Sequence, residues 1–336
     1  MSINFRKYQN YKNITLYILK RIGLMLLTFF IITSILFILI RTLVPEVIPY
    51  GPEKEIEEAR LIELGYHRPI LEQLFIFYKN IFTKWDFGTS FKISYLTSST
   101  ELFFDSLPPT LLVNFYALLL IIPLGIVVGV LLARHKNKPV DAISSFMLMI
   151  LISLPSFVIA FILQYLLGYL GGLPITTYSL FDVGGNYFSF DMFLSQILPI
   201  LAITIPSFAT LARFVRAEMV DSLQSENVAF ARSLGVPKRK VIYHYAFKNA
   251  LVPLLPMLVG LVIGVFTGSI IVEQVFSIPG VGKLFLQSIE RLDYDVFMLC
   301  SMFYTFMGLL SSLIVDITYS LVDPRIRIGG NSRNVR

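Results

Sequence analysis

The sequence predicts an all-α polytopic membrane protein with six transmembrane helices and a helical extracellular segment after the first span. Three observations predict it. Of 336 residues, 55% are hydrophobic, and mean hydropathy is +0.72. Only 15% are charged, against about 25% in an ordinary soluble domain. The apolar residues also gather into six runs, each near the ~20 residues needed to cross a bilayer.

The runs are Ile22 to Leu43, Thr110 to Ala133, Ala142 to Leu167, Gln196 to Met219, Ala250 to Val272 and Val296 to Leu321. They divide the chain into an N-terminal tail with the first span and outer segment (1–109), a five-helix core (110–321) and a tail (322–336). Six spans put both termini on one side, and Lys and Arg choose the side, because they favour the cytoplasm. Nineteen lie on the side of the termini: Arg6 to Arg21, Arg134 to Lys138, Arg213 to Lys248 and Arg325 to Arg336. The other side carries eight, six of them in a segment too long for the rule to count. Both termini are therefore expected in the cytoplasm. Lys20 and Arg21 precede the first span, but its length and the lack of a small-x-small site after Ile40 argue for an uncleaved helix.

Outside the first span, "PEKEIEEARLIELG" predicts a helix opened by Pro52 and stopped by Gly65. "PILEQLFIFYKNIF" starts at Pro69 and places Ile70, Leu74, Phe77, Tyr78 and Ile81 on one helical stripe. "WDFGTSF" predicts a turn at Gly88. The segment reads as a small helical cap lying on the outer membrane surface. The second outer loop, "GYLGGLPITTYSLFDVGGNYFSFD", is too interrupted for a span.

Helices in lipid associate through small residues. Gly125 and Gly129 in the second span, and Gly260, Gly264 and Gly268 in the fifth, are the candidate packing residues. Spacing alone leaves two readings open, packing within this chain or a seam with another subunit. Prolines interrupt the second span (Pro123), the third (Pro155), the fourth (Pro199, Pro206) and the fifth (Pro253, Pro256). Such kinks suit moving helices, and rigid bundles also contain them.

Several chemistries find no support. Cys300 is the single cysteine, so no disulfide framework follows. His67, His135 and His244 are far apart, and neither HExxH nor GxSxG occurs. "SIPGVGKL" fails as a phosphate loop at Ser277 and Leu284, and reads better as a turn opening an outer helix. Asp316 and Glu273 sit near span ends, and no carboxylate is expected at mid-membrane, which argues against an ion-driven carrier. No catalytic, metal or nucleic-acid site is predicted, and substrate-contacting residues are not assignable.

The loop 221–249 is different in kind. Ser225 is an N-cap candidate, Glu226 places an acid at a helix N-terminus, and Gly235 suits the left-handed stop. Pro237 can open the next helix, which carries Lys238, Arg239 and Lys240 into the fifth span. A short helix results, expected to present Ala229, Phe230 and Ala231 outward. The residues allow two readings: a solvated connector, or a rigid lever seated on a soluble partner.

Here "ENVAFARSLGVPKRKVIYHYAFKNALVP" resembles the cytoplasmic EAA loop of binding-protein-dependent ABC importer permeases, most of all their oligopeptide/dipeptide branch. Glu226, Ala231, Arg232, Gly235, Asn249, Ala250, Leu251 and Pro253 fit, while Ala229 and Phe230 stand where the general motif has Glu and Ala. "RPILEQ…WDFGTSF", "LPPTLLV", "VEQVFSIPGVGKLFLQSI" and "LVDPRIR" resemble other parts of that branch. The resemblance implies a MetI-like permease core in a bacterial cytoplasmic membrane. It implies a homologous second permease, two cytoplasmic ATPases and an extracellular or periplasmic peptide-binding protein as partners. The coupling helix would carry Glu226, Ala229, Phe230, Ala231, Arg232 and Gly235. This chain would bind no cofactor, with ATP and Mg on the ATPases. A nickel-chelate, glutathione or another peptide-like solute is the alternative cargo. An ion-coupled secondary carrier is the alternative class.

Overall fold

A computed structural model of the chain describes residues 2–43 and 54–322. Pro52 and most of "LVDPRIR" lie outside the described residues. Two compact units emerge, 1–108 with 280–313, and 109–279 with 314–336.

In the first unit, α1 (Ser2–Leu43) is followed by α2 (Lys54–Leu64) and α3 (Ile70–Lys84). Gly65, at φ +81°, ends α2 as expected, and the Tyr66 N–H closes the turn onto the Leu61 carbonyl at 3.0 Å. Gly88 (φ +99°) then turns the chain into a two-residue antiparallel pair, β1 (Thr89–Ser90) with β2 (Thr97–Ser98).

The second helix of membrane length, α4, runs Ser99–Arg134. It begins eleven residues before the expected Thr110 and carries Pro108 and Pro109 within it. Next, α5 (Pro139–Ser153) and α6 (Ser156–Leu163), which continues as a π-helix to Tyr169, stand in place of the expected third span. They are bent by 99°. Pro155 causes the break: it lacks an N–H, and it forces Leu154 out of the helical region to φ −75°, ψ 127°. Among the described residues, five helices are therefore long and apolar enough to cross a membrane, or six if the bent pair is one span.

The fourth expected span is α7 (Phe190–Leu223), with Pro199 and Pro206 inside it. Helix α8 (Glu226–Ser233) follows. A single turn, α9 (Lys238–Lys240), a π-segment (Val241–Ala246) and α10 (Phe247–Thr267) then run on from one another. Gly268, at φ +65°, stops α10, so the fifth span is interrupted before α11 (Ile270–Val275). Back in the first unit, α12 (Val281–Glu290) opens after Gly280, as the "SIPGVGKL" turn predicts, and α13 (Tyr294–Val322) crosses into the second unit.

The second unit has one large core, built on Val113, Ala117 and Ile121 of α4, Leu198, Leu211 and Val215 of α7, and Leu254 of α10. Two glycines let α4 approach α7. A Cβ at Gly125 would meet Leu211 Cδ2 at 2.6 Å, and one at Gly129 would meet the Ala212 carbonyl oxygen at 2.6 Å. Gly260 and Gly264 behave otherwise. Among the described residues, no atom lies within 4 Å of a Cβ placed there. The reading in which these two pack within the chain is corrected: their side of α10 is left open. Gly268 serves the helix stop, where a Cβ would strike Glu273 Oε1. Glu273 is itself only 1% exposed and accepts a 3.0 Å hydrogen bond from Thr110 Oγ1. This buried carboxylate stands near the end of the span, where the sequence places it.

The two glycine pairs separate in an experiment. Gly129→Ala should destabilise the chain by about 1–3 kcal/mol, the usual cost of overpacking against a backbone that cannot yield. Gly264→Ala should leave the thermal unfolding of the isolated, detergent-solubilised chain unchanged. Equal shifts for the two variants would contradict the assignment.

Candidate functional site

The loop between α7 and α10 is built from its buried side outward. Helix α7 ends when Gln224 turns its N–H onto the Asp221 carbonyl, at 3.1 Å. Ser225 is then extended (φ −65°, ψ 150°), in N-cap geometry, but its hydroxyl does not cap. It donates instead to the Ser222 carbonyl at 2.7 Å. The buried Ser222 hydroxyl donates to the Ala246 carbonyl, also at 2.7 Å and 24 residues away. Ser222 therefore fastens the end of α7 to the helical run that enters α10, and Ser225 folds back onto the same turn.

Helix α8 sits on this base by two residues, Val228 (0% exposed) and Ala231 (3%). They are three apart, hence on one face, and Val228 shares the core with Met219, Val241 and Ala246. Ala231 accordingly faces inward, which corrects the expectation that it is presented with Ala229 and Phe230. The outward surface includes Glu226, Ala229, Phe230, Arg232 and Leu234, with Phe230 64% and Leu234 66% exposed. Phe230 and Leu234 are four apart and so adjacent on the helix surface. Sequence reasoning missed Leu234, although the i, i+4 spacing of two large apolar residues in a polar loop was a usable signal.

The helix closes as the glycine predicts. Gly235 is at φ +74°, its N–H reaches the Arg232 carbonyl at 3.0 Å, and the Val236 N–H reaches the Ala231 carbonyl at 3.2 Å. This is the paired closure that satisfies terminal carbonyls. Glu226 lies in the first turn, where the helix end is positive. Pro237 (φ −56°) then precedes α9 and its three cations, Lys238, Arg239 and Lys240.

Beside α8 is a groove of about 1120 Å³ bordered by Arg134, Arg232, Lys238, Arg239 and Tyr243. The Arg134 guanidinium donates to the Tyr243 hydroxyl at 3.4 Å. Nearby, Arg216 of α7 forms a two-pronged ion pair with Asp141 of α5 at 2.6 and 2.7 Å, and the Asn137 N–H supports the carboxylate at 3.2 Å. Such forked pairs fix orientation as well as distance. The unit also carries a half-open cavity of about 280 Å³, with Asn114, Ser156, Ser207, Gly260, Gly264 and Thr267 in its wall. No sequence motif marks this set, since it draws on α4, α6, α7 and α10.

Residues 125–328 match the family described as binding-protein-dependent transport system inner membrane component. The chain is 33% identical over 314 residues to the dipeptide transport system permease protein DppB of Lactococcus lactis subsp. cremoris, covering 93% of this chain and 99% of that protein. It belongs to this family. To DppB of Bacillus subtilis it is 30% identical over 317 residues, covering 93% and 98%. To the oligopeptide transport system permease protein OppB of Haemophilus influenzae it is 32% identical over 316 residues, covering 93% and 99%. The family match spans the loop, the groove and the cavity wall except Asn114, Leu118 and Ile121. It leaves out α1 to α3 and the first part of α4.

In a transport-system membrane component of this architecture, the loop is a preassembled helix on a fixed base. Gly235→Val should disturb it through the backbone alone, because a Cβ there meets open space. The left-handed conformation costs a non-glycine residue about 1–2 kcal/mol, and asparagine less. Tryptic cleavage at Arg232, Lys238 and Arg239 should accelerate in Gly235→Val and stay near wild type in Gly235→Asn. Ser222→Ala removes one buried donor, worth about 1 kcal/mol. It should raise cleavage at the same sites without reducing membrane insertion.

Proposed function

We propose that this chain is one of two permease subunits of an ATP-driven importer of dipeptides or oligopeptides. Both termini and the α8 loop face the cytoplasm, and α8 docks on a separate ATPase. The observation that carries the coupling is the helix itself, clamped by buried Val228 and Ala231 while Phe230 and Leu234 project. A flexible loop would absorb a partner's displacement. A helix bound to the end of α7 and the start of α10 passes it to both. The peptide cargo is supported by the named relatives, which are dipeptide and oligopeptide permeases. No hydrolysis is assigned to this chain. A binding protein delivers cargo, and ATP and Mg belong to the ATPases. The small-residue wall at Gly260 and Gly264 lines the route or meets the second permease.

Two measurements decide this. Phe230→Asp alters an exposed residue, so folding and insertion should be unaffected. Uptake of labelled peptide and co-purification of an ATPase should both be lost. In cells with wild-type protein, uptake should stop on ATP depletion and persist when the ion gradient is collapsed. The reverse pattern would assign the chain to the ion-coupled carriers, and the buried Glu273 would be the first residue to test.

A further inference from the structure

We infer that α3 is immersed in the lipid leaflet at the Arg41 end of α1, with one face among acyl chains, rather than lying on the membrane as a cap. The inference concerns the first unit alone and does not rest on the cargo or on coupling.

The register of α3 against α1 sets its depth. Phe77 packs against Phe37 at 4.9 Å between ring centres, and Phe82 meets Phe30 at 6.2 Å. As α3 advances, its partners on α1 recede, so the two helices run antiparallel. From Phe37 to Phe30 is about 10 Å of helix at 1.5 Å per residue. All of it lies within the apolar run bounded by Arg21 and Arg41. On the other side, Ile81 packs with Met298 and Met302, which are inside α13 and past its first turn.

Polar pairing agrees with a site removed from water. The Tyr78 hydroxyl lies 2.8 Å from both Thr33 Oγ1 and Ser34 Oγ, and 3.3 Å from the Phe30 carbonyl. Three hydroxyls at mid-run thus satisfy one another, as groups in hydrocarbon must.

The third observation is the division of the α3 surface. At 100° per residue, Ile70, Leu74, Phe77 and Ile81 share one sector, and they pack on the protein. The adjoining sector holds Leu71, Phe75 and Phe82, which are 70%, 70% and 71% exposed. Beyond it come Glu72, Lys79 and Thr83, all exposed. Protein-facing, apolar-exposed and polar sectors in that order suit a helix at the line where protein, lipid and water meet. The apolar sector also continues the exposed side of α1 at Leu27, Ile31 and Ile35. Trp85, 66% exposed just past the helix, is a residue type that concentrates at membrane interfaces.

Trp85 is the only tryptophan in the chain, and Cys300 the only cysteine and buried, so both supply clean backgrounds. The chain, with its co-purifying subunits, is placed in lipid nanodiscs, and the same complex carrying Trp85→Phe serves as the blank. The difference fluorescence should be lost on adding phosphatidylcholine brominated in the upper acyl chain and should resist iodide. A nitroxide at Phe75→Cys should be more accessible to oxygen than to a nickel chelate. Iodide quenching of Trp85, or a label at 75 more accessible to the nickel chelate, overturns the proposal. The face would then be open to water and to a soluble partner.

Discussion

The hydrogen bond from Ser222 to the Ala246 carbonyl is a small interaction on which the loop's geometry depends. A single buried hydrogen bond contributes only about 1 kcal/mol. Its importance lies in what it joins. It closes a circuit of chain from the end of α7, through α8, back to the π-segment before α10. With the circuit closed, Val228 and Ala231 can be buried against it, and α8 cannot rotate without exposing them. An isolated eight-residue helix is well below the length that is stable in water. Tertiary fixation is therefore what makes α8 a helix at all, and the same fixation is what lets it transmit force.

Beyond that base, the second unit divides into surfaces that yield and surfaces that do not. Gly125 brings α4 against the Leu211 side chain of α7 and Gly129 brings it against the Ala212 carbonyl, with no room for a methyl group at either. The Arg216–Asp141 fork ties α5 to α7. These are fixed joints. In contrast, Gly260 and Gly264 face open space, and the chain breaks at Pro155 and again at Gly268. The cavity wall draws on both kinds of element, including Ser156 just after the Pro155 break. A bundle with stiff joints on one flank and interrupted helices on the other can change shape around that cavity without unpacking its core.

Much of this was legible in the sequence, and the exceptions have physical causes. Gly65, Gly88 and Gly235 were readable because a positive φ is a local demand that one residue type meets cheaply. The apolar runs were readable because crossing lipid fixes a length. Prolines were ambiguous: Pro199, Pro206, Pro253 and Pro256 remain within helices, whereas Pro155 ends one. A proline pattern alone does not say which of the two outcomes follows. Glycine spacing was ambiguous for the same reason, since equal intervals give packed contacts in α4 and an open face in α10. Ala231 was misplaced because three consecutive residues cannot share one face of a helix, and the register is set by Val228, which was not singled out.

The first unit shows how charge is kept near an apolar core. Asp295 is 4% exposed at the start of α13 and receives Arg41 at 3.1 Å, Tyr66 at 3.3 Å and the Thr89 N–H at 3.1 Å. Burial holds the Tyr66 phenol well above its ordinary value, so it stays neutral and can donate. Two residues earlier, Asp293 receives the Ser90 hydroxyl and the N–H groups of Lys92 and Ile93. Burying such carboxylates gains little over apolar residues of the same size, but removing one partner from a buried pair costs several kcal/mol. Their contribution is therefore specificity. Asp293 and Asp295 recruit backbone N–H groups that only one conformation of the 86–98 turn can offer, and a Cβ at Gly88 would meet Asp295 at 2.5 Å. The glycine, the two aspartates and Arg41 thus form a single requirement, which ties an irregular segment to α1 and α13 while leaving α3 free to keep its exposed apolar face.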